Sequence, residues 1–177
     1  IRGGTAGFYR YDMGANTWTA MASLPVVPTT DTTGTFVGDY IYYPLGNANT
    51  TTFYRYTIST NTWSAMTVLP AGAASGASAV YNASDSRVYV LRGAGTSNLY
   101  SSPNNVTLAW TTQATTVVSG VTYQANVGAK MVSDGTNLYA TMGDGETAFL
   151  KYNTAGNTWS TLTKTPFAQY YGTSLTY

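Results

Sequence analysis

Cysteine and histidine are both absent from this 177-residue sequence. Without thiols there is no disulfide framework and no thiolate metal site, although the compartment is left open. Without imidazole there is no Ser-His-Asp arrangement and no histidine general base. Charge is scarce as well: 8% of residues are charged and the net charge is +1, against about a quarter charged in ordinary globular domains. No basic run is present, which argues against nucleic acid as the main partner. No apolar run approaches the roughly 18 residues that a membrane-spanning helix needs, so no membrane span is expected. An initiator Met and a signal peptide are also missing, and the sequence opens at Ile1-Arg2-Gly3-Gly4. That opening reads as the product of upstream removal or as part of a longer polypeptide.

Thr, Ser, Asn, Gly and Tyr take the place of the missing charges. A polar, non-ionic surface of this kind suggests an extracellular, cell-surface or virion setting. Near-zero net charge gives little repulsion between copies, so the expected partner is a protein or a further copy of the chain, with a glycan as the alternative.

One segment recurs. Phe8 to Pro25 reads FYRYDMGANTWTAMASLP, and Phe53 to Pro70 reads FYRYTISTNTWSAMTVLP. A more diverged copy runs from Phe149 to Pro166 as FLKYNTAGNTWSTLTKTP. Tryptophans at 18, 63, 110 and 159 mark a period of about 47 residues, which is the signature of a repeat architecture. The repeat units are 1–25, 34–70, 76–117 and 128–166, with 172–177 as the first strand of a further or closing unit.

The second unit shows the local logic. Thr35-Phe36-Val37 is a short β-type run, and Gly38-Asp39 is a tight turn in which Gly supplies a positive φ. Tyr40 to Tyr43 is a second strand, Thr52 to Tyr56 a third, and Thr62 to Met66 a fourth. No 3.6-residue apolar period occurs, so each unit reads as a four-stranded antiparallel sheet. The third unit reads as strands at 77–81, 87–91, 98–101 and 109–112, and the fourth as strands at 129–132, 138–142, 148–152 and 158–162. A four-stranded sheet cannot bury both faces alone, and radial stacking into a β-propeller would do so. The Trp of each fourth strand then packs between adjacent sheets. Gly34, Gly76, Gly128 and Gly172 open the innermost strands, where space is tight.

These elements resemble the kelch-repeat family. An apolar residue precedes Gly3-Gly4, an aromatic pair follows at Tyr9 and Tyr11, and Trp18 stands a fixed distance on. Weaker glycine sites follow at Leu45-Gly46-Asn47, Arg92-Gly93-Ala94 and Met142-Gly143-Asp144. The third unit departs most, with one extra residue before Trp110 and Val117 where the others carry Pro. The resemblance implies an all-β, kelch-like β-propeller of four-stranded antiparallel blades, with about four repeats visible. Strand counting gives two, four, four, four and one, which favours a segment of a larger propeller, or a ring completed by another copy, over a self-contained four-bladed ring. The family also includes copper enzymes of the galactose-oxidase type. Their site needs His and a Cys-linked Tyr, so that activity is not carried over; no cofactor and no metal are expected.

Candidate functional residues are few. Asp144 and Glu146, in a GDGE loop, are the one close carboxylate pair. They could serve a hydrolase or an oxygen-ligand calcium site, and the plainer reading is a solvated loop. Asp134 is explained by turn chemistry. Arg10, Arg55 and Lys151 share a position in three third strands; they could form a cation ring, or their stems could pack on neighbouring aromatics. Arg2 and Arg92 are another equivalent pair. Asn49, Asn82 and Asn105 head glycosylation sequons. The expected function is a non-catalytic binding or structural module, not an enzyme, that presents its second-to-third-strand loops to a protein, as in an appendage, adhesin or phage-type virion. The alternative is a carbohydrate-binding propeller with a Tyr-rich rim that includes Tyr42. The candidate binding residues are Tyr42, Asn47, Asn49, Thr96, Asp144 and Glu146.

Overall fold

The computed structural model describes residues 1, 4–47, 49–104, 107–171 and 173–177. All elements among them are β-strands. β1 (Phe8–Asp12) and β2 (Thr17–Met21) form a two-stranded antiparallel sheet. Their turn is tied by Asp12, whose Oδ1 accepts from Ala15 N at 2.9 Å, and Asn16 supplies a left-handed φ of 54°. β3 (Thr32–Thr33) precedes the first complete sheet, β4 (Thr35–Val37), β5 (Tyr40–Pro44), β6 (Phe53–Thr57) and β7 (Thr62–Ala65). The next sheet holds β8 (Ala77–Asn82), β9 (Arg87–Leu91), β10 (Leu99–Pro103) and β11 (Thr111–Thr112), and β3 joins its edge parallel to β8. β12 (Val117–Val118) and β13 (Val121–Thr122) make a separate hairpin. β14 (Lys130–Ser133), β15 (Asn137–Thr141), β16 (Phe149–Asn153) and β17 (Thr158–Thr161) complete the molecule. Each complete unit is an antiparallel meander in sequence order.

The turns follow from local chemistry. Gly38 takes φ 58° and Gly135 takes φ 91° at the expected tight turns. At the second of these, the Asp134 carboxylate accepts from the backbone N–H groups of Thr136 (2.8 Å) and Asn137 (2.6 Å) and from the Tyr139 hydroxyl (3.0 Å). The backbone hydrogen bond from Asn137 contributes most to holding its pKa down at about 2, because these donors favour the ionised form.

The core lies between sheets. One cluster joins the first two units through Leu24, Tyr43, Leu45 and Tyr54, with Phe8 and Trp63 against them. A second joins units two and three through Tyr42, Phe53, Val88, Val90 and Tyr100. The third joins units three and four through Tyr89, Leu91, Leu138, Leu150, Tyr152 and Trp159. The middle sheets thus bury both faces, and each fully buried Leu or Phe contributes about 1.5–3 kcal/mol. The sheets are held in order by a repeated tie. The indole Nε1 of Trp63 donates to Ala22 O (2.9 Å), that of Trp110 to Thr67 O (3.1 Å), and that of Trp159 to Ala114 O (2.9 Å). Every acceptor lies four residues past the Trp of the preceding unit.

Three expectations need correction. Trp18 does not pack between sheets; it is 70% exposed, because no sheet lies on that face of β1 and β2. Residues 173–177 form no strand and do not join β1 and β2. Thr173 to Leu175 line a cleft of about 380 Å³ with residues of β4, β8 and β14, beside the first strands but without a ladder partner. The hairpin β12–β13 and the parallel strand β3 are additions to the repeat pattern. The tight space expected at Gly76 and Gly128 is present, and it comes from chain contacts between units. Each has a positive φ (79° and 82°), and a Cβ would fall 1.8 Å from Asn126 O and 2.1 Å from Tyr170 O, respectively. The Arg2, Gly3 and Gly172 expectations and the Asn105 sequon lie outside the described residues.

Candidate binding rim

The second-to-third-strand connections share one geometry. Each is a tight turn closed by a backbone bond: Thr50 N to Asn47 O (2.9 Å), Thr96 N to Gly93 O (3.1 Å) and Glu146 N to Gly143 O (3.0 Å). Asn49, Gly95 and Gly145 occupy the left-handed region at 62°, 66° and 82°, which favours Asn and Gly over branched residues. Each turn is then bridged to the segment leading into the next unit, as Thr50 with Ala73, Thr96 with Ala125, and Glu146 with Gln169. The three turns therefore stand at matching places along one rim of the stack.

This geometry brings most of the expected binding residues onto that rim. Asn49, Asp144 and Glu146 are exposed there. Asn47 is half-buried, and its Oδ1 accepts from the Thr29 hydroxyl at 3.1 Å. Thr96 is half-buried, and its hydroxyl donates to Gly93 O at 2.7 Å, so it closes the turn. Tyr42 is not on the rim. It is 1% exposed and stacks on Phe53 at 6.3 Å, in the core between units two and three. Alternation along β5 turns Tyr42 toward the third unit, where no ligand reaches it.

At the fourth unit a cleft opens beside the rim. Hairpin β12–β13 rises beside the Gly143–Glu146 turn and encloses a cleft of about 230 Å³. Val121, Tyr123, Gln124 and Asn126 form one wall, and Met142, Asp144 and Glu146 the other. The hairpin tip uses Ser119 and Gly120 at φ 51° and 81°, the pair of positive values that a two-residue hairpin turn requires. Its base is anchored by buried Thr116, whose N–H donates to Ser97 O (3.0 Å) and whose carbonyl accepts from Tyr123 N (2.8 Å). The Thr116 hydroxyl also donates to Tyr123 O. The cleft offers amide, phenol and carboxylate groups beside an exposed Val121, and no cationic side chain lines it. Such a lining suits a cationic side chain or a polyhydroxylated ligand. Sequence reading missed the hairpin wall, although the interval from Trp110 to Gly128 is longer than that from Trp63 to Gly76.

The other candidates have structural positions. The Arg55 guanidinium sits 4.4 Å from the Tyr40 ring centre and Lys151 Nζ 6.0 Å from that of Tyr139. Both stems therefore pack on an aromatic ring, whereas Arg10 is exposed. Arg92 Nε donates to Gly72 O at 2.8 Å. Asn82 is fully buried, and its amide donates to Ser84 Oγ (2.8 Å) and Asp85 Oδ1 (3.0 Å), which leaves Asn49 as the exposed sequon among the described residues. Among those residues, no three His, Cys, Asp or Glu groups come together in a metal-holding cluster. Among the described residues, no helix is long and apolar enough to cross a membrane.

Two further residues, at one repeated position, were not singled out by the sequence reading. Asn61 and Asn157, in the recurring Asn-Thr-Trp triplet, adopt φ 53° and 49°. Each accepts a Tyr hydroxyl from its own third strand (Tyr56 and Tyr152, both 2.7 Å). Each also accepts a backbone N–H from the preceding unit, Ala22 at 2.8 Å and Ala114 at 2.7 Å. Burial pushes the Tyr152 hydroxyl up to about 12, so it remains a donor at neutral pH.

No family model matches the chain, and no curated protein matches it. Similar solved structures exist. The structure of YjhT superposes with a TM-score of 0.70 at 15% identity, over 93% of this chain and 61% of that one. A protein of unknown function from Bacteroides thetaiotaomicron superposes with a TM-score of 0.62 at 17% identity, over 89% of this chain and 42% of that one. The chain therefore shares an all-β fold with both, and spans about three fifths and two fifths of their respective lengths.

Proposed function

We propose that the stacked sheets are blades of a kelch-like β-propeller segment, and that the chain is a non-catalytic binding module working at a cell or virion surface. Three observations support the blade reading: face-to-face sheets with one core per junction, the recurring indole tie, and similarity to larger all-β proteins. The binding reading is carried by the cleft between hairpin β12–β13 and the Gly143–Glu146 turn. It stands on a rigid platform, departs from the repeat pattern, and presents Asp144 and Glu146 to solvent. The partner is a protein that places a Lys or Arg side chain between these carboxylates and an apolar residue against Val121.

Selection of a displayed peptide library on the immobilised chain tests this. Enrichment of Lys- or Arg-containing peptides whose binding falls at least about tenfold in Glu146→Gln and Val121→Ser is expected. Peptides indifferent to both changes would remove the cleft from the account. A carbohydrate ligand is the second reading, favoured by Tyr123, Gln124 and Asn126 on one wall. Glycan-array binding lost in Tyr123→Ala would select it over the protein partner.

A further inference from the structure

The backbone bonds of residues 121–126, which form one wall of the cleft, alternate in direction. Odd-numbered residues bond toward the third unit and its hairpin. Val121 pairs with Val118 across the hairpin turn. Tyr123 N donates to Thr116 O (2.8 Å), Ala125 N donates to Thr96 O (2.8 Å), and Ala125 O accepts from Gly95 N (2.9 Å). Even-numbered residues point away from β12, toward the fourth unit, as strand alternation requires. There Asn126 N donates to Met142 O at 2.9 Å. Beyond that bond the cleft opens, and the backbone N–H and C=O groups of Thr122 and Gln124 have no partner among the described residues. Four consecutive residues, Val121 to Gln124, line the cleft. Side chains alternate between the two faces of a strand, so an unbroken run of four lining residues means that the strand's edge faces the cleft. The walls come from units three and four, each of which has all four of its strands paired in its own sheet. No strand of either unit is left over to cover this edge.

We infer that the cleft takes its partner as an added β-strand: an extended, basic peptide segment that pairs with the free edge at Thr122 and Gln124 and sets a Lys or Arg side chain at Asp144 and Glu146. This rests on the cleft reading above and adds the partner's conformation to it. Thr122 and Gln124 offer two donors and two acceptors, about 7 Å apart along the strand. An antiparallel partner presents its own paired groups at that repeat, so three residues of its backbone engage all four. Unpaired edge groups are a template for such pairing. A two-stranded hairpin as short as β12–β13 is also marginal by itself, and a third strand stabilises it. The lining carries two carboxylates and no cation, which selects a basic segment over an acidic one. Backbone pairing thus supplies affinity, and the carboxylates supply selection.

The probe is the tightest-binding Lys-containing peptide enriched on the immobilised chain. A single backbone N-methyl group, moved along that peptide, should weaken binding at least about tenfold at two positions two residues apart, and by less than about twofold at the residue between them. Thr122→Pro removes the N–H that faces the cleft and none that faces β12, a placement that an edge strand tolerates. It should weaken the unmodified peptide at least about tenfold, with slow amide exchange at Tyr123 showing that the hairpin stands. If that protection is lost, the N-methyl scan decides alone. Binding that falls in Glu146→Gln, yet tolerates N-methylation at every position, overturns strand addition and leaves the cleft as the site. Binding indifferent to Glu146→Gln, or a glycan ligand in place of any peptide, removes the cleft's protein partner and this proposal with it.

Discussion

The same residue type should have opposite value at the two ends of the stack. Trp159 is 8% exposed, lies 5.0 Å from the Tyr152 ring, and donates to Ala114 O. Trp18 has an equivalent place in its unit, yet is 70% exposed with one ring neighbour, Tyr11, at 5.0 Å. Removing a buried aromatic side chain costs about 3–5 kcal/mol. Losing only the indole hydrogen bond, with the carbonyl left to find another donor, costs about 1 kcal/mol. Trp159→Ala should therefore lose about 3–5 kcal/mol and Trp159→Phe about 1–2 kcal/mol. Trp18→Ala should lose less than about 0.5 kcal/mol, as surface changes do. With a urea slope of about 2 kcal/mol per M, the first variant moves the unfolding midpoint down by about 2 M and Trp18→Ala by under about 0.3 M. The assay is urea unfolding followed by circular dichroism at about 1 µM, a dilution that disfavours association between copies. Equal losses in Trp159→Ala and Trp18→Ala would refute the sheet-stacking argument, as would a loss under about 1 kcal/mol in Trp159→Ala.

Other consequences follow from single contacts. Asn157→Gly keeps the left-handed backbone but deletes the acceptor for Tyr152 and Ala114, and should destabilise by about 1–3 kcal/mol in the same assay, whereas Asn16→Gly should be nearly neutral. Gly128→Ala adds a Cβ 2.1 Å from Tyr170 O at φ 82°, so it should lower stability by about 2 kcal/mol or more; a neutral result would refute the close approach. Asp134 has its folded pKa lowered from 3.8 to about 2. Its contribution is fully present above the unfolded value and is lost as pH falls between those two values. The difference in melting temperature between wild type and Asp134→Asn should therefore shrink from about pH 6 to about pH 2, and a constant difference would contradict the assigned hydrogen bonds.

Much of this architecture was legible because its signals are local. Gly38-Asp39 and Asp134-Gly135 demand turns, and the evenly spaced tryptophans mark equivalent fourth strands. What escaped depends on neighbours. Tyr42 sits in a strand covered on both faces, so alternation could not tell rim from core. Trp18 matches its buried counterparts in sequence and differs only in what lies against it. Residues 173–177 resemble a first strand, but a strand exists only with a ladder partner. Hairpin β12–β13 did carry a signal, with Ser119-Gly120 flanked by valines, yet it breaks the repeat pattern through which the segment was read. The rim was anticipated as a set of loops, whereas its cleft needs Tyr123, Gln124 and Asn126 from that unread segment.

The rim is tested most directly by hydrogen–deuterium exchange of the chain with and without a peptide selected on it. Slowed exchange confined to residues 117–126 and 143–146 is the expected result. Protection spread over the exposed faces of the end sheets, with none at the hairpin or the turn, would contradict the assignment of function to this cleft.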